Sequence, residues 1–231
     1  MKIWQLTNLS GYDEVTTYSE SEQEVFDDGF NGTPMLSTWK PIQMKTYKHK
    51  EKADLLSFEG ESFPNPPIFT KKAIHILNDL IEDQVECLPL LHETYSCYAV
   101  NVTNIFECVD HRKSVPTKYG GYDEFIFIPE KVENQHIFRN SNTQHSLGDF
   151  PITSVEIFVS DAFKERVTNS GLKGFRFKLV WESDEKNDEQ EIENNPMIRP
   201  TSIEDFKSHI QQHYGMITNH IEANTKMITD V

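Results

Sequence analysis

Read from the N-terminus, apolar positions fall mostly in short runs of strand length, with a few stretches in which they recur every three to four residues. Ile3–Leu6 predicts a first strand and Ala53–Phe58 another, with a turn at Asn31-Gly32-Thr33-Pro34. Pro64, Pro66 and Pro67 each push the preceding residue out of the α region, so a helix begins only after them. Thr70 is placed to cap it, and Ala73, Ile74, Leu77, Leu80 and Ile81 share its buried face. Val85–Leu91 and Tyr95–Val102, joined by His92-Glu93-Thr94, predict a hairpin. A polar loop around Val115–Tyr122 leads to a strand at Glu124–Ile128 ended by Pro129, and 139–151 reads as loop.

The most legible segment spans 155–181. Val155–Val159 predicts a strand, Ser160 caps a short helix with Phe163 and Val167 inward, and Gly171 supplies the left-handed residue that ends it, with Leu172 making the accompanying contact. Gly174–Trp181 then alternates aromatic or aliphatic with basic residues, predicting a strand with one wet face and completing a strand–helix–strand unit. Residues 182–195 are an acidic connector with almost nothing to bury. In 196–231, Thr201 and Glu204 form a capping box, and Ile203, Phe206, Ile210, Tyr214, Ile217 and Ile221 form one apolar stripe.

The pattern therefore predicts an α+β fold: a mixed or mostly antiparallel sheet, a few packed helices, and an appended C-terminal amphipathic helix. The expected organisation is a body at 1–181, the connector at 182–195, and a helix at 196–231 docked on the body, with a partner chain as its other possible cover. No internal repeat emerges.

Charge narrows the partners. The chain has 22 Lys+Arg against 37 Asp+Glu, a formal net charge of −15, which argues against direct nucleic-acid binding. No apolar run approaches the ~20 residues that span a bilayer, and the N-terminus lacks the apolar core of a signal peptide, so a cytoplasmic protein without membrane contact is expected. Three cysteines without a CxxC pair suit a reducing compartment, which leaves the sequons at Asn8, Asn31 and Asn101 without glycan meaning.

Candidate chemistry is sparse. The sequence contains no phosphate-binding glycine loop, nucleophile elbow, HExxH or EF-hand pattern. His209, His213 and His220 share a band of the C-terminal helix, but the last two lie about 10 Å apart along its axis, so only His209 and His213 could share a metal. Cys97 with His111 or His136 is conceivable as a thiolate pair, although nothing in the sequence joins them. His75 reads as structural. No catalytic residue, cofactor or metal site is predicted. The acidic run from Asp13 to Asp28 reads first as a solvated face; as a partner surface, the candidates are Glu20, Glu22, Glu24, Asp27 and Asp28, with Glu182, Asp184 and Glu185 at the connector.

Three ordered motifs carry a resemblance. They are Pro67-Ile68-Phe69-Thr70-Lys71-Lys72-Ala73, followed by its helix and Leu88-Pro89-Leu90; Tyr98–Asn104 with Val109-Asp110 and Ser114; and Ile157–Lys164 closing with Gly171–Phe177. Together, over roughly 1–181 and most securely over 60–181, the chain resembles the bacterial polymorphic-toxin immunity proteins of family eleven. The resemblance implies an α+β, non-enzymatic protein that binds a cognate toxin domain in the producing cell and blocks it. The acidic charge would suit a basic toxin such as a nuclease. Two other classes stay open: a small hydrolase or transferase with a dispersed site, and a regulator assembling through its C-terminal helix, of unknown oligomeric state.

Overall fold

The computed structural model describes residues 1–59, 66–117, 121–147, 150–153 and 156–183, all within the unit Met1–Ser183. The expected C-terminal helix, its histidines and nearly all of the connector lie outside the described residues. In chain order the first elements are β1 (Lys2–Asn8), β2 (Glu14–Thr17), α1 (Glu20–Gly29), β3 (Ile42–Lys48), β4 (Leu55–Phe58), β5 (Ile68–Thr70), α2 (Lys71–Ile81), β6 (Val85–Leu91) and β7 (Cys97–Val102). There follow β8 (Ile105–Phe106), β9 (Val115–Pro116), β10 (Tyr122–Glu124), α3 (Pro129–Val132), β11 (Ile137–Leu147), β12 (Phe150–Thr153), β13 (Ile157–Ser160), α4 (Asp161–Ser170) and β14 (Phe175–Glu182).

Two similar local events organise these elements. In each, a short apolar strand runs directly into a hydroxyl-capped helix: the Thr70 oxygen accepts from Ala73 N–H to start α2, and the Ser160 oxygen accepts from Phe163 N–H to start α4. Each helix then returns the chain to a strand parallel to the first, with a third strand inserted between them. β7 lies antiparallel between β5 and β6, and β1 lies antiparallel between β13 and β14. The fold thus contains two split β–α–β units that the sequence did not reveal as a repeat. Their helices pack together, with Arg166 forking onto Asp79 at 2.7 and 3.0 Å and donating to the Ile76 carbonyl.

The first unit is part of a closed barrel of order β2-β3-β6-β7-β5-β4, whose β3·β6 and β2·β4 pairs are parallel. The second belongs to an open sheet, β12-β11-β13-β1-β14, with β8 added parallel to β11. The α+β class and the mostly antiparallel pairing agree with expectation; barrel closure was not anticipated. All six barrel strands feed one interior cluster, among them Val15, Met44, Leu56, Ile68, Leu88 and Ala99. A second cluster lies beneath α2 and α4, and a third, rich in phenylalanine, lies between the other face of the open sheet and α3.

Buried Gln84 joins barrel to sheet. Its side-chain oxygen accepts from the N–H groups of His136 and Ile137, at 2.9 and 3.0 Å, while its main-chain carbonyl accepts from Thr103 and Asn104.

Four local readings need correction. The run from Asp13 to Asp28 is a solvated face only in part: Glu20 and Glu24 are exposed, but Asp13 and, within β2 and α1, Val15, Thr17 and Phe26 are buried. Residues 139–147 are not loop but most of β11: buried Arg139 and Asn140 find main-chain partners there, Asn140 Oδ1 accepting from Cys108 N–H at 3.1 Å. The strand expected at Glu124–Ile128 stops at Glu124; Phe127 makes an isolated bridge to Val109, and Pro129 opens α3, where its missing N–H costs nothing. In β14 a register shift opposite Ile3 and Trp4 breaks the alternation, so Leu179 faces out while Val180 and Trp181 both pack on the third cluster.

Candidate partner-binding surface

α1 presents the predicted glutamates. Ser19 and Glu22 form a reciprocal cap: the Ser19 oxygen accepts from Glu22 N–H, and its hydroxyl donates to the Glu22 carboxylate at 3.0 Å. Phe26 anchors the helix, fully buried and stacked on Phe58 with centroids 4.6 Å apart. The anchor leaves Glu20, Glu24 and Val25 exposed. Tyr18, directly before the cap, is half exposed, with the Lys45 ammonium over its ring at 4.9 Å. Asp27 and Asp28 belong to the last turns of α1.

The neighbouring acids serve the fold instead. Asp13 is buried and accepts from the Tyr95 hydroxyl at 2.6 Å and from Lys50 N–H. Glu14 pairs with Lys50 and with Lys48, and those hydrogen bonds hold its carboxyl below the usual range. Glu182 is exposed and pairs with Lys2 at 3.2 Å across β14 and β1, so it sits on the open sheet whereas α1 packs on the barrel strand β2. The structure does not join these two acidic groups; Asp184 and Glu185 lie outside the described residues.

The imagined thiolate pair does not form. Cys97 is buried in the barrel with its thiol pushed up to about 11, while His111 and His136 are engaged elsewhere. Sequence reading missed two polar constellations. In the first, His111 lies between the Tyr122 hydroxyl and the Glu107 carboxylate, the latter at 2.8 Å. In the second, Ser160, whose oxygen already accepts at the helix cap, has its hydroxyl left to donate to His136 Nδ1 at 2.9 Å; burial lowers the pKa of His136 and so favours the neutral ring. Both are accounted for by packing and capping: Tyr122 is a buried member of the third cluster, and freeing Ser160 would uncap α4. Their signal in the sequence is weak, since only the Glu107–His111 spacing is local. Among the described residues, no group of three or more His, Cys, Asp and Glu side chains is arranged to hold a metal. No helix there is long and apolar enough to cross a membrane.

Compared with known families, residues 85–182 match the model of an immunity protein family, Imm11. The match runs from β6 through β14 and so takes in the Leu88-Pro89-Leu90 strand and the second and third motifs; the Pro67–Ala73 motif precedes it. No curated protein matches the chain.

Proposed function

With residues 85–182 matching an immunity family, we propose that this protein is an immunity protein that binds and neutralises a cognate toxin domain in the cytosol of the producing cell. The family match carries this reading. The exposed face of α1, with Glu20, Glu24, Val25 and Tyr18, supplies the contact. It offers exposed carboxylates close in sequence to a half-exposed aromatic residue, the residue types of a charged rim and an anchor. The net charge of −15 favours a basic toxin, such as a nuclease domain, through faster encounter and rejection of acidic partners. The protein acts as an inhibitor without turnover and touches neither nucleic acid nor membrane directly.

The test is co-expression of the full chain with the product of the neighbouring gene. Rescue of growth together with a stable 1:1 complex is expected. Undiminished toxicity in cells holding soluble, folded protein would refute the proposal, and turnover of a small-molecule substrate would move the assignment to an enzyme.

A further inference from the structure

At one end of the barrel, where β4 and β5 meet the entry to β14, lies a cleft of about 490 Å³. Lys52, Lys71, Lys72 and Lys173 line it, with Asp54 and Ser96 among the other walls. The four lysines come from three separate parts of the chain. Gly174 makes that convergence possible: at φ +91° it lets the chain press so close that an added Cβ would lie 2.4 Å from the Leu55 carbonyl oxygen. The Lys173 carbonyl thereby accepts from Asp54 and Leu55 N–H, and Lys173 N–H donates to the Asp54 carboxylate.

Asp54 offsets only part of this charge. Its carboxylate is committed to the Thr70 hydroxyl, Lys173 N–H and the Lys72 ammonium at 3.2 Å, leaving a formal excess of three positive charges from four lysines and one aspartate. Lys52 lies over the Tyr95 ring, and Lys71 and Lys173 have no carboxylate partner among the described residues. Two of the four lysines open α2, whose first turn contains no acid, so the positive helix end adds to their charge. At the corresponding start of α4 stands Asp161, bound by the Trp4 indole at 2.6 Å. In a chain of net charge −15, this cleft inverts the local sign.

We propose that the cleft binds a small, multiply charged anion of the phosphate class. Ammonium groups act as point charges and suit phosphate oxygens, and the lining has no arginine fork to select a planar carboxylate. The start of α2 contributes through its dipole, since Lys71 and Ala73 N–H already donate to Ser96 and Thr70. The volume falls in the lower part of the range of roughly 300–1,000 Å³ typical of small-molecule sites.

The full chain is titrated by calorimetry with inorganic phosphate, pyrophosphate, adenosine diphosphate and citrate at constant ionic strength. One saturable site is expected, tighter for pyrophosphate than for phosphate and weakest for citrate. Equal affinity for pyrophosphate and adenosine diphosphate would show that the phosphates alone are held; a gain for the nucleotide would extend the site to its nucleoside. Lys71→Gln with Lys173→Gln should weaken binding about tenfold or more, while Lys40→Gln, away from the cleft, should change nothing. The fold's bonds at 71 and 173 use main-chain atoms, so melting should be preserved; if the double variant melts early, Lys71→Gln alone gives the same reading. Absence of saturation, citrate binding as tightly as pyrophosphate, or equal weakening by Lys40→Gln would overturn the proposal.

Discussion

Arg139 in β11 donates from Nη1 to the carbonyl of Phe30 at 2.8 Å, tying the end of α1 to a strand 109 residues later. Phe30 is the C-cap of α1, so a guanidinium from the open sheet sits at the negative end of that helix. Arg139 lies within the stretch that matches the immunity family and α1 lies before it, so this bond joins the two.

Replacing Arg139 with Met keeps much of the buried volume and removes the donor. The expected cost is roughly 1.5–3 kcal/mol, the range for a hydrogen bond to a charged group. Urea unfolding measures it, and hydrogen exchange should show α1 amides losing protection before those of α2.

Tyr95→Phe deletes the hydroxyl that meets buried Asp13 and should also cost roughly 1.5–3 kcal/mol. In an Asp13→Asn background the same change should cost clearly less, because the charge that strengthens the bond is gone. A double-mutant cycle that shows no coupling would refute this account.

Stability should fall in mild acid. Burial lowers the pKa of His136, opposed by Asp83 and Asp79 and reinforced by Arg166; burial also lowers His92, opposed by Glu93 and Asp13 and reinforced by His49. Both imidazoles start from 6.5, so the unfolded chain takes up protons first as pH drops through that value. Their contribution is complete above about pH 6.5 and is lost as pH falls through the lower folded values. Unfolding free energies measured on either side of that window should differ less for a His92→Gln, His136→Gln variant than for the parent.

Native thiols should react slowly. Desolvation pushes Cys87 and Cys97 up to about 11 and Cys108 up to about 12, leaving little thiolate at neutral pH. An aromatic disulfide reagent should label three thiols promptly only after denaturation; a fast native phase would contradict this.

If α1 meets a basic toxin, Glu20→Gln with Glu24→Gln should slow association about three- to tenfold at low salt and flatten its salt dependence. Glu22 is left unchanged in this test because its carboxylate is part of the helix cap. An association rate indifferent to salt and to both substitutions would show that the charge is incidental.

What was legible in the sequence had local causes. Thr70, Ser160 and Gly171 mark helix ends by side-chain chemistry or backbone freedom within a few residues, and α2 and α4 followed from them. The β6–β7 hairpin followed from two apolar runs joined by the short connection His92-Glu93-Thr94. α1 was missed because a single anchor, Phe26, gives it little apolar periodicity; Ser19 with Glu22 was the signal that could have found it. Barrel closure depends on parallel pairs such as Ile42 with Leu90 and Glu14 with Ser57, which no local pattern encodes. The start of β11 was hidden because Arg139 and Asn140, polar residues with no local strand signal, are held by Phe30 and Cys108, partners distant in sequence. The lysine cleft was hidden for the same reason, since Lys52, Lys71 and Lys173 meet only after the barrel forms.

The closed barrel also limits how another polypeptide can join this one. Every barrel strand already has a neighbour on both sides, so the barrel offers no outer strand on which an extended segment could be added. Among the described residues, the outer strands of the open sheet are β12 and β14. On β14, Arg176 and Lys178 are exposed, and such charges on an outer strand discourage stacking of like molecules into fibrils.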